Sequence, residues 1–226
     1  MATPSCRSPR GQTSKGKSAF APRLVIMVKE PVAGRVKTRL ARDTGCVRAT
    51  AVYRAMMRDV AARLGCDRRW DTILAVSPDI ACARTMLPKS FPTIPQGRGD
   101  LGQRLQSIFT RVPGGPVVVI GTDIPGITPQ HIADAFGALG SHDAVLGPSP
   151  DGGYWLVGLA RRPRLVSAFD RVRWSSAHAL SDTVANLEGL RVARLSQLSD
   201  VDDASDLQCL APLIGRRVLP VSSRKS

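Results

Sequence analysis

The sequence alternates short, uninterrupted apolar runs with longer stretches in which apolar residues recur at helical spacing. Residues 24–28 and 117–120 are purely apolar runs, which are typical of parallel strands buried on both faces of a sheet. Between them, residues 47–64 carry apolar side chains three or four positions apart, and Gly65 follows where a helix often ends. This alternation predicts an α/β fold in which helices cover both faces of a mainly parallel sheet.

The same patterns extend along the rest of the chain. Thr128 followed by Pro129 predicts a helix start, with a cap residue before a first-turn proline. Further strands are predicted at residues 73–76, 144–146 and 154–159, and further helices at residues 103–109, 128–139, 176–187 and from residue 204. The predicted architecture is a three-layer α/β/α sandwich, whose ligands bind beyond the carboxyl ends of the strands.

The net charge of +14 is concentrated at the two ends of the chain. Residues 1–23 and 216–226 hold nine basic residues and no acidic one, whereas the remainder has 23 basic and 18 acidic residues. We predict one domain over residues 23–214, a disordered basic tail at 1–22 and a flexible basic tail at 215–226. The modest excess of basic over acidic residues in the remainder suits a protein that binds anionic small molecules. Aromatic residues, at 4% of the chain, are too few to form a stacking platform for nucleic-acid bases.

The sequence shows no membrane or secretion signal. Its apolar runs are only as long as strands, and the N-terminal segment lacks the apolar stretch of a secretory signal. The five cysteines form no C-x-x-C pair. We therefore expect a cytoplasmic protein, with an Arg- and Ser-rich organellar transit peptide as the alternative.

Two phosphate-binding patterns lack the expected context. Residues 11–18 fit the P-loop pattern, but a Pro- and Ser-rich segment precedes them instead of a strand. Residues 97–102 fit G-x-G-x-x-G, but residues 91–96 contain two prolines and the predicted helix after the pattern is short. We interpret both as chance matches.

A basic segment follows the first predicted strand. Lys29, Arg35, Lys37 and Arg39 lie within eleven residues, and Gly34 permits close approach of the backbone to a ligand. Because these residues follow a buried strand, they are candidates for neutralising phosphates. The alternative is an ordinary solvated basic loop.

Acidic residues follow the second apolar run and precede the last predicted helix. Asp123 comes three residues after the run at 117–120, where it suits Mg²⁺ or Mn²⁺, cations that prefer oxygen ligands. The alternative is a turn aspartate. The second acidic cluster comprises Asp200, Asp202, Asp203 and Asp206. One of these would serve as the cap of the last predicted helix. A cap requires only one carboxylate, so the other aspartates are candidates for a second role.

The segment G-P-S-P-D-G-G-Y-W joins two predicted strands. Asp151 is followed by Gly152 and Gly153, which let the backbone approach a ligand, and then by Tyr154 and Trp155. We predict that these residues contact substrate and that Asp151 orients an acceptor or takes its proton. The alternative is a hairpin turn, since D-G favours hairpins.

Five segments together resemble a bacterial family of GT-A-fold, nucleotide-diphospho-sugar-transferase-like proteins. In order, they are K-E-P-V-A-G-R-V-K-T-R-L, Q-G-R-G-D-L-G-Q-R-L, G-T-D-I-P, G-P-S-P-D-G-G-Y-W and D-V-D-D-A-S-D-L. Members are variously labelled glycosyltransferases, arsenosugar-biosynthesis glycosyltransferases or selenodomain-associated transferases. K-T-R-L is also similar to the phosphate loop of cytidylyl- and guanylyltransferases, and D-V-D-x-x-x-D-L to the closing metal segment of sugar-acid cytidylyltransferases.

The resemblance implies a GT-A fold and a set of site residues. Lys37 and Arg39 would hold phosphates during catalysis, and Asp123 with Asp202 would hold Mg²⁺ or Mn²⁺. The implied nucleotide-binding residues are Lys29, Gly34, Arg35, Lys37, Thr38, Arg39, Gln96, Gly97, Gly99 and Asp100. Related enzymes have D-x-D-T-P-E-D-L in the last segment, and this departure leaves the choice among Asp200, Asp202 and Asp203 open.

The function expected from this resemblance is glycosyl transfer from a nucleotide-diphospho-sugar to a small acceptor. The first alternative is nucleotidyl transfer, in which a nucleoside triphosphate reacts and pyrophosphate leaves. The second is a noncatalytic module that binds nucleotides or nucleic acid, suggested by the basic tails. We expect no specific nucleic-acid partner, because the carboxylates would repel phosphate unless a cation intervened.

Overall fold

The computed structural model describes residues 20–83, 91–162 and 165–210, which are built around a seven-stranded sheet. The strands are β1 (Arg23–Lys29), β2 (Asp71–Ser77), β3 (Thr93–Pro95), β4 (Val117–Ile120), β5 (Ala144–Pro148), β6 (Tyr154–Leu159) and β7 (Val192–Arg194). The α-helices are α1 (Thr38–Thr44), α2 (Cys46–Gly65), α3 (Leu101–Arg111), α4 (Pro129–Ala138), α5 (Ala179–Asn186) and α6 (Ala204–Cys209). A short 3-10 helix covers Asp79–Ala83.

The strand order is β3-β2-β1-β4-β6-β5-β7. Every neighbouring pair is parallel except the two that include β6, which runs antiparallel to β4 and β5. The sheet is therefore mixed but mainly parallel. One edge of the sheet collects the carboxyl ends of β1, β4 and β5 together with the start of β6.

Helices cover both faces of the sheet, and the side chains of β1 alternate between them. Leu24 and Ile26 pack in the same apolar cluster as Met57 of α2, whereas Val25 packs with Phe109 of α3. All four side chains of β4 are buried, as are Leu24, Val25 and Ile26 of β1. Burial on two faces explains why both strands are continuous apolar runs, and it confirms the predicted three-layer α/β/α architecture.

The predicted elements are present, with ends that differ by three residues or fewer. Helix α1 and strand β7 were not predicted. Residues 91–96 contribute β3, which lies at the sheet edge, where strand prolines are tolerated because one side needs no partner. The helix predicted at residues 103–109 is present as α3, which is two residues longer at each end.

Part of the sequence interpretation falls outside the described residues. The P-loop-like pattern at 11–18, most of the predicted tail at 1–22 and all of the tail at 215–226 lie there. The carbonyl oxygen of Pro22 accepts a hydrogen bond from the backbone of Asp71, so pairing with β2 begins just before β1. Among the helices of residues 20–83, 91–162 and 165–210, none has the length and apolarity needed to cross a membrane.

Candidate functional site

The loop after β1 delivers Lys37 to the carboxyl edge of the sheet. Gly34 has a φ of 80°, which glycine adopts without strain, and buried Val36 and Leu40 hold the segment that includes Lys37 against the core. Lys37 itself has a φ of 47° and directly precedes α1. The Lys37 side chain is only 6% exposed. It is therefore directed inward rather than into solvent.

The ammonium group of Lys37 bridges two carboxylates. Nζ of Lys37 lies 2.7 Å from Oδ2 of Asp123 and 3.0 Å from Oδ1 of Asp202. Nη1 of Arg39 lies 3.1 Å from the other oxygen of Asp202, but the Arg39 side chain is 69% exposed. The predicted phosphate loop and the predicted metal ligands therefore meet at one point.

Backbone hydrogen bonds bring the second acidic segment to Asp123. After β7, the amide groups of Leu195 and Leu198 donate to the carbonyl groups of Leu146 and Pro148 at the end of β5. The amide of Val201 then donates to the carbonyl of Asp123 at 3.0 Å. Val201 is fully buried, so the residues on either side of it are fixed beside Asp123.

The structure divides the four aspartates of this segment into two pairs. Asp203 is the N-cap of α6, where it accepts bonds from the backbone of Ser205 and Asp206, and Asp206 accepts a bond from the backbone of Asp203. This capping box satisfies backbone donors at the helix start. Asp200 and Asp202 instead join Asp123 in a cluster whose candidate ligand oxygens all lie within 4.8 Å of one another.

The crowding of charge changes the pKa values of this cluster. Burial lowers the pKa of Lys37, but its contacts with Asp123 and Asp202 raise it by more, so the pKa lies above its usual value. Burial, together with the nearby charges of Asp202 and Asp123, raises the pKa of Asp200 to about 6. The cluster therefore has more negative charge than its neighbouring cation neutralises.

A cavity of about 540 Å³ opens over the acidic cluster. We call it the donor cavity, after the role proposed for it below. Its charged lining residues are Lys29, Lys37, Arg39, Arg104, Asp123 and Asp202. Thr38 and Gln96 also line it, as do Tyr154 and Trp155. The cations and carboxylates together can hold a polyphosphate and a divalent cation side by side.

Not all of the predicted nucleotide-binding residues reach this cavity. Gly34 and Arg35 do not line it, nor do Gly97, Gly99 and Asp100. Asp100 caps α3 in a capping box with Gln103, and the amide of Gly97 donates to Asp79. The side-chain amide of Gln96 donates to the carbonyl oxygens of Val28 and Ala75, which fixes the end of this loop at the cavity wall.

A smaller cavity of about 250 Å³, the side cavity, lies next to Asp123. Asp151, Gly153, Tyr154 and Trp155 line it, and the two aromatic residues also line the donor cavity. Gly152 does not line it; its φ is 83°, and a Cβ added there would meet the backbone of Ala177. The structure thus places four of the five predicted substrate-segment residues at one cavity.

Hydrogen bonds fix the walls shared by the two cavities. Nε1 of Trp155 donates to the carbonyl of Ser196 at 3.1 Å, and the hydroxyl of Tyr154 lies 3.3 Å from that of Thr183. Burial raises the pKa of Tyr154 above its usual value, so its hydroxyl stays protonated at neutral pH. Oδ1 of Asp151 accepts a bond from the backbone of Gly153 at 2.9 Å.

The sequence interpretation missed several residues at these cavities, among them Tyr53, Arg104 and Trp174. The hydroxyl of Tyr53 accepts a bond from the amide of Lys29 at 2.7 Å, and Arg104 donates from Nε to the carbonyl of Gly99. Trp174 lines the side cavity. Tyr53 and Arg104 occupy helices whose periodicity concealed any second role, and Trp174 belongs to neither a helix nor a strand.

The sequence profile of a family described as "Uncharacterized protein conserved in bacteria (DUF2064)" matches residues 60–176, which is more than half of the chain. The chain belongs to the DUF2064 family. The span matched within this DUF2064 protein includes Asp123 and Asp151, whereas Lys37 and Asp202 lie outside it. No curated protein matches the sequence.

Solved structures share the fold of this DUF2064 protein. A Desulfovibrio desulfuricans G20 protein, provisionally described as a nucleotide-diphospho-sugar transferase, is 28% identical with a TM-score of 0.79, covering 92% of this chain and 91% of its own. The manganese complex of Rv0371c from Mycobacterium tuberculosis H37Rv is 19% identical, with a TM-score of 0.51 and coverages of 85% and 98%. The 4-diphosphocytidyl-2C-methyl-D-erythritol synthase of Anaerococcus prevotii DSM 20548 is 11% identical, with a TM-score of 0.54 and coverages of 84% and 96%.

Proposed function

We propose that this DUF2064 protein is a metal-dependent transferase that moves a glycosyl group from a nucleotide-diphospho-sugar to a small acceptor. The observation that carries the proposal is the position of Lys37, whose ammonium lies against Asp123 and Asp202 in a cavity also lined by other cations. A site of this kind suits a diphosphate bound together with a divalent cation. The similarity to the Desulfovibrio desulfuricans G20 protein supports the choice of donor.

The donor set fits Mg²⁺ or Mn²⁺. Asp123, Asp200 and Asp202 offer carboxylate oxygens, which these hard cations prefer, and all three are partly accessible. The ammonium of Lys37 already occupies a place between two of them, which indicates that positive charge is favourable there. A bound cation would neutralise charge that develops on the leaving diphosphate.

The basic residues of the donor cavity would orient the diphosphate. Lys37 and Arg39 approach from the loop after β1, Arg104 from α3, and Lys29 from the end of β1. Tyr53 holds the backbone of Lys29 in place through its hydroxyl. Once they contact the diphosphate, these cations would stabilise the negative charge that develops on it in the transition state.

The proposed reaction exchanges one carbon–oxygen bond for another. An acceptor hydroxyl oxygen forms a bond with the anomeric carbon, and the bond from that carbon to the diphosphate breaks. The diphosphate oxygen keeps the electron pair, so nucleoside diphosphate leaves. Asp151 lines the side cavity, where it can orient the acceptor hydroxyl and take its proton.

Nucleotidyl transfer is the second candidate, because the fold is shared with a cytidylyl-type synthase and the same cations could hold a triphosphate. In that reaction, an acceptor oxygen bonds to the α-phosphorus of a nucleoside triphosphate and pyrophosphate leaves. The two functions predict different products. Nucleoside diphosphate is released in the first and pyrophosphate in the second.

The test is a melting-temperature screen of nucleotides and nucleotide sugars, with manganese or with a chelator, followed by product analysis of the ligands that stabilise the protein. We expect a nucleotide sugar to stabilise the protein more in manganese than in chelator, and to be converted to nucleoside diphosphate. Release of pyrophosphate from a nucleoside triphosphate would instead establish nucleotidyl transfer. A protein that binds and turns over neither class would overturn the proposal.

Asp123→Asn tests the metal role, and Asp203→Asn is its matched control. Asparagine at 123 keeps the side-chain size and an oxygen that can accept a bond from Lys37, but it loses the negative charge. Manganese-dependent turnover should therefore be abolished, while the melting temperature falls by no more than about 4 °C. Asp203 caps α6 in the same acidic segment, and asparagine is an equally good cap. Asp203→Asn should therefore retain turnover. If Asp123→Asn were as active as Asp203→Asn and wild type, the metal role of Asp123 would be refuted.

A further inference from the structure

The side cavity differs in charge from the donor cavity beside it. Three carboxylate residues, Asp123, Asp151 and Asp200, line it, and no lysine or arginine is among its lining residues in the described part of the chain. Within residues 20–83, 91–162 and 165–210, four basic residues line the donor cavity. The positive and negative walls of the site are therefore separated, with Asp123 common to both cavities.

This separation persists when the charges of a cation and a donor are included. A divalent cation would be neutralised by the carboxylates of Asp123, Asp200 and Asp202, and the donor diphosphate would use the cations of the donor cavity. Asp151 would still face the side cavity, where none of the described lining residues is a lysine or arginine that could compensate its charge. A phosphate or carboxylate placed there would be repelled by Asp151 and by the donor itself.

Nearby basic residues do not change this balance. Arg173 is next to Trp174 in the chain, but its guanidinium pairs with Asp182 at 2.7 and 2.9 Å. Lys37 pairs with Asp123 and Asp202, and it lines the donor cavity rather than the side cavity. Neither cation is directed at a ligand of the side cavity.

The remaining lining suits a small hydroxylated molecule. Tyr154, Trp155 and Trp174 provide aromatic surface, and Ser149, Ser175 and Ser176 provide hydroxyl groups. A volume of about 250 Å³ is below the usual range for drug-sized ligands, which is about 300 to 1,000 Å³. This size and this mixture of aromatic and hydroxyl groups match a single sugar ring, whose apolar face can pack on an aromatic side chain.

We propose that the side cavity is the acceptor subsite and that it selects an uncharged or cationic hydroxylated molecule of about monosaccharide size over an anionic one. The identification as an acceptor subsite rests on the proposed glycosyl transfer. The charge selection rests on the lining residues themselves, so the two can be tested separately.

The test uses four matched monosaccharides that differ mainly in charge: glucose, glucosamine, glucuronate and glucose 6-phosphate. The full chain would be titrated with each, in chelator and in manganese, while tryptophan fluorescence is recorded. Trp155 and Trp174 line the cavity and should report binding. We expect glucose and glucosamine to bind at least about tenfold more tightly than glucose 6-phosphate, with glucuronate between them.

Ser176→Lys places a cation in the side cavity, and Ser176→Ala is the matched control. The Ser176 hydroxyl donates to the carbonyl of Arg173 and accepts from the amide of His178, so both variants lose the same turn contacts. Ser176→Lys should improve binding of glucose 6-phosphate relative to glucose by about tenfold. Ser176→Ala should keep the wild-type preference, which separates the effect of charge from the effect on the turn.

The outcomes distinguish this inference from the proposed function. Binding of glucose 6-phosphate to wild type as tightly as glucose, or binding of none of the four sugars, would overturn the inference. A protein that shows the predicted preference but turns over no nucleotide sugar would contradict the proposed function and leave the charge selection standing. Stimulation of nucleoside diphosphate release by glucose or glucosamine, but not by glucose 6-phosphate, would support both.

Discussion

Lys37→Met is the substitution that most directly tests the organisation of this site. Methionine keeps a long apolar stem in the buried position but removes the ammonium that lies 2.7 Å from Asp123 and 3.0 Å from Asp202. The variant leaves three neighbouring carboxylates without their buried counter-ion. In chelator we expect it to be less stable than wild type, and in manganese we expect much of that stability to return.

The magnitude follows from the contacts of Lys37. A hydrogen bond to a charged group contributes about 1.5 to 3 kcal/mol. Lys37 makes two, but the carboxylate side chains are 32% and 42% exposed, so water compensates part of the loss. We therefore expect a loss of about 2 kcal/mol in the free energy of unfolding, or roughly 4 to 8 °C in melting temperature for a chain of this size.

The assay is a pair of melting curves, in chelator and in about 1 mM manganese, for wild type, Lys37→Met and Arg39→Met. Manganese should stabilise Lys37→Met more than wild type, because the cation no longer competes with the ammonium for Asp123 and Asp202. Arg39→Met is the control, since its exposed pair with Asp202 is worth less than about 1 kcal/mol. Equal stabilisation of wild type and Lys37→Met by manganese would refute the reasoning.

Three further predictions follow from the geometry of the site. Arg39→Met should weaken nucleotide binding about tenfold, measured by calorimetry, while the melting temperature stays within about 1 °C of wild type. In chelator, wild-type stability should fall as pH rises from about 4 to about 6, because the raised pKa of Asp200 means that the folded state holds a proton which the unfolded state has lost. Asp200→Asn should flatten this pH dependence of melting and be more stable by about 1 to 2 kcal/mol at pH 7; a pH profile equal to wild type would contradict the cause given. Gly152→Ala should lower the melting temperature more than Gly34→Ala, because both glycines have positive φ but only a Cβ at 152 would meet neighbouring backbone.

The sequence was sufficient for those parts of the fold that depend on local pattern. Strands β1 and β4 are buried on both faces, so their apolar runs identify them directly. Helix α1 was missed because Thr38–Thr44 is short and largely polar, with only Leu40 buried. Strand β7 was missed because Val192–Arg194 has three residues and none is buried. Its pairing with β5, rather than its composition, makes it a strand.

The composition of the acidic cluster depends on long-range contacts that the sequence does not encode locally. The hydrogen bond from the amide of Val201 to the carbonyl of Asp123 joins residues that are far apart in the chain. Because Asp200 and Asp202 are the chain neighbours of Val201, this bond brings both of them next to Asp123. The sequence did contain a local signal that could have excluded Asp203 as a metal ligand. Asp203 and Asp206 have the spacing of a capping box, which would have indicated that Asp203 serves as a cap.

The charges of the site give a reason for a metal and a nucleotide to bind cooperatively. Lys37 is the buried cation of the cluster, and its ammonium is already engaged by Asp123 and Asp202. In that arrangement it has little capacity left for a diphosphate, which the same two carboxylates would also repel. A divalent cation on the carboxylates would remove both obstacles, since it would replace the ammonium as their counter-ion and leave Lys37 available to phosphate. Each ligand should therefore increase the affinity for the other by the same factor, and that factor should be smaller in Lys37→Met, where the metal can only relieve the repulsion by the carboxylates.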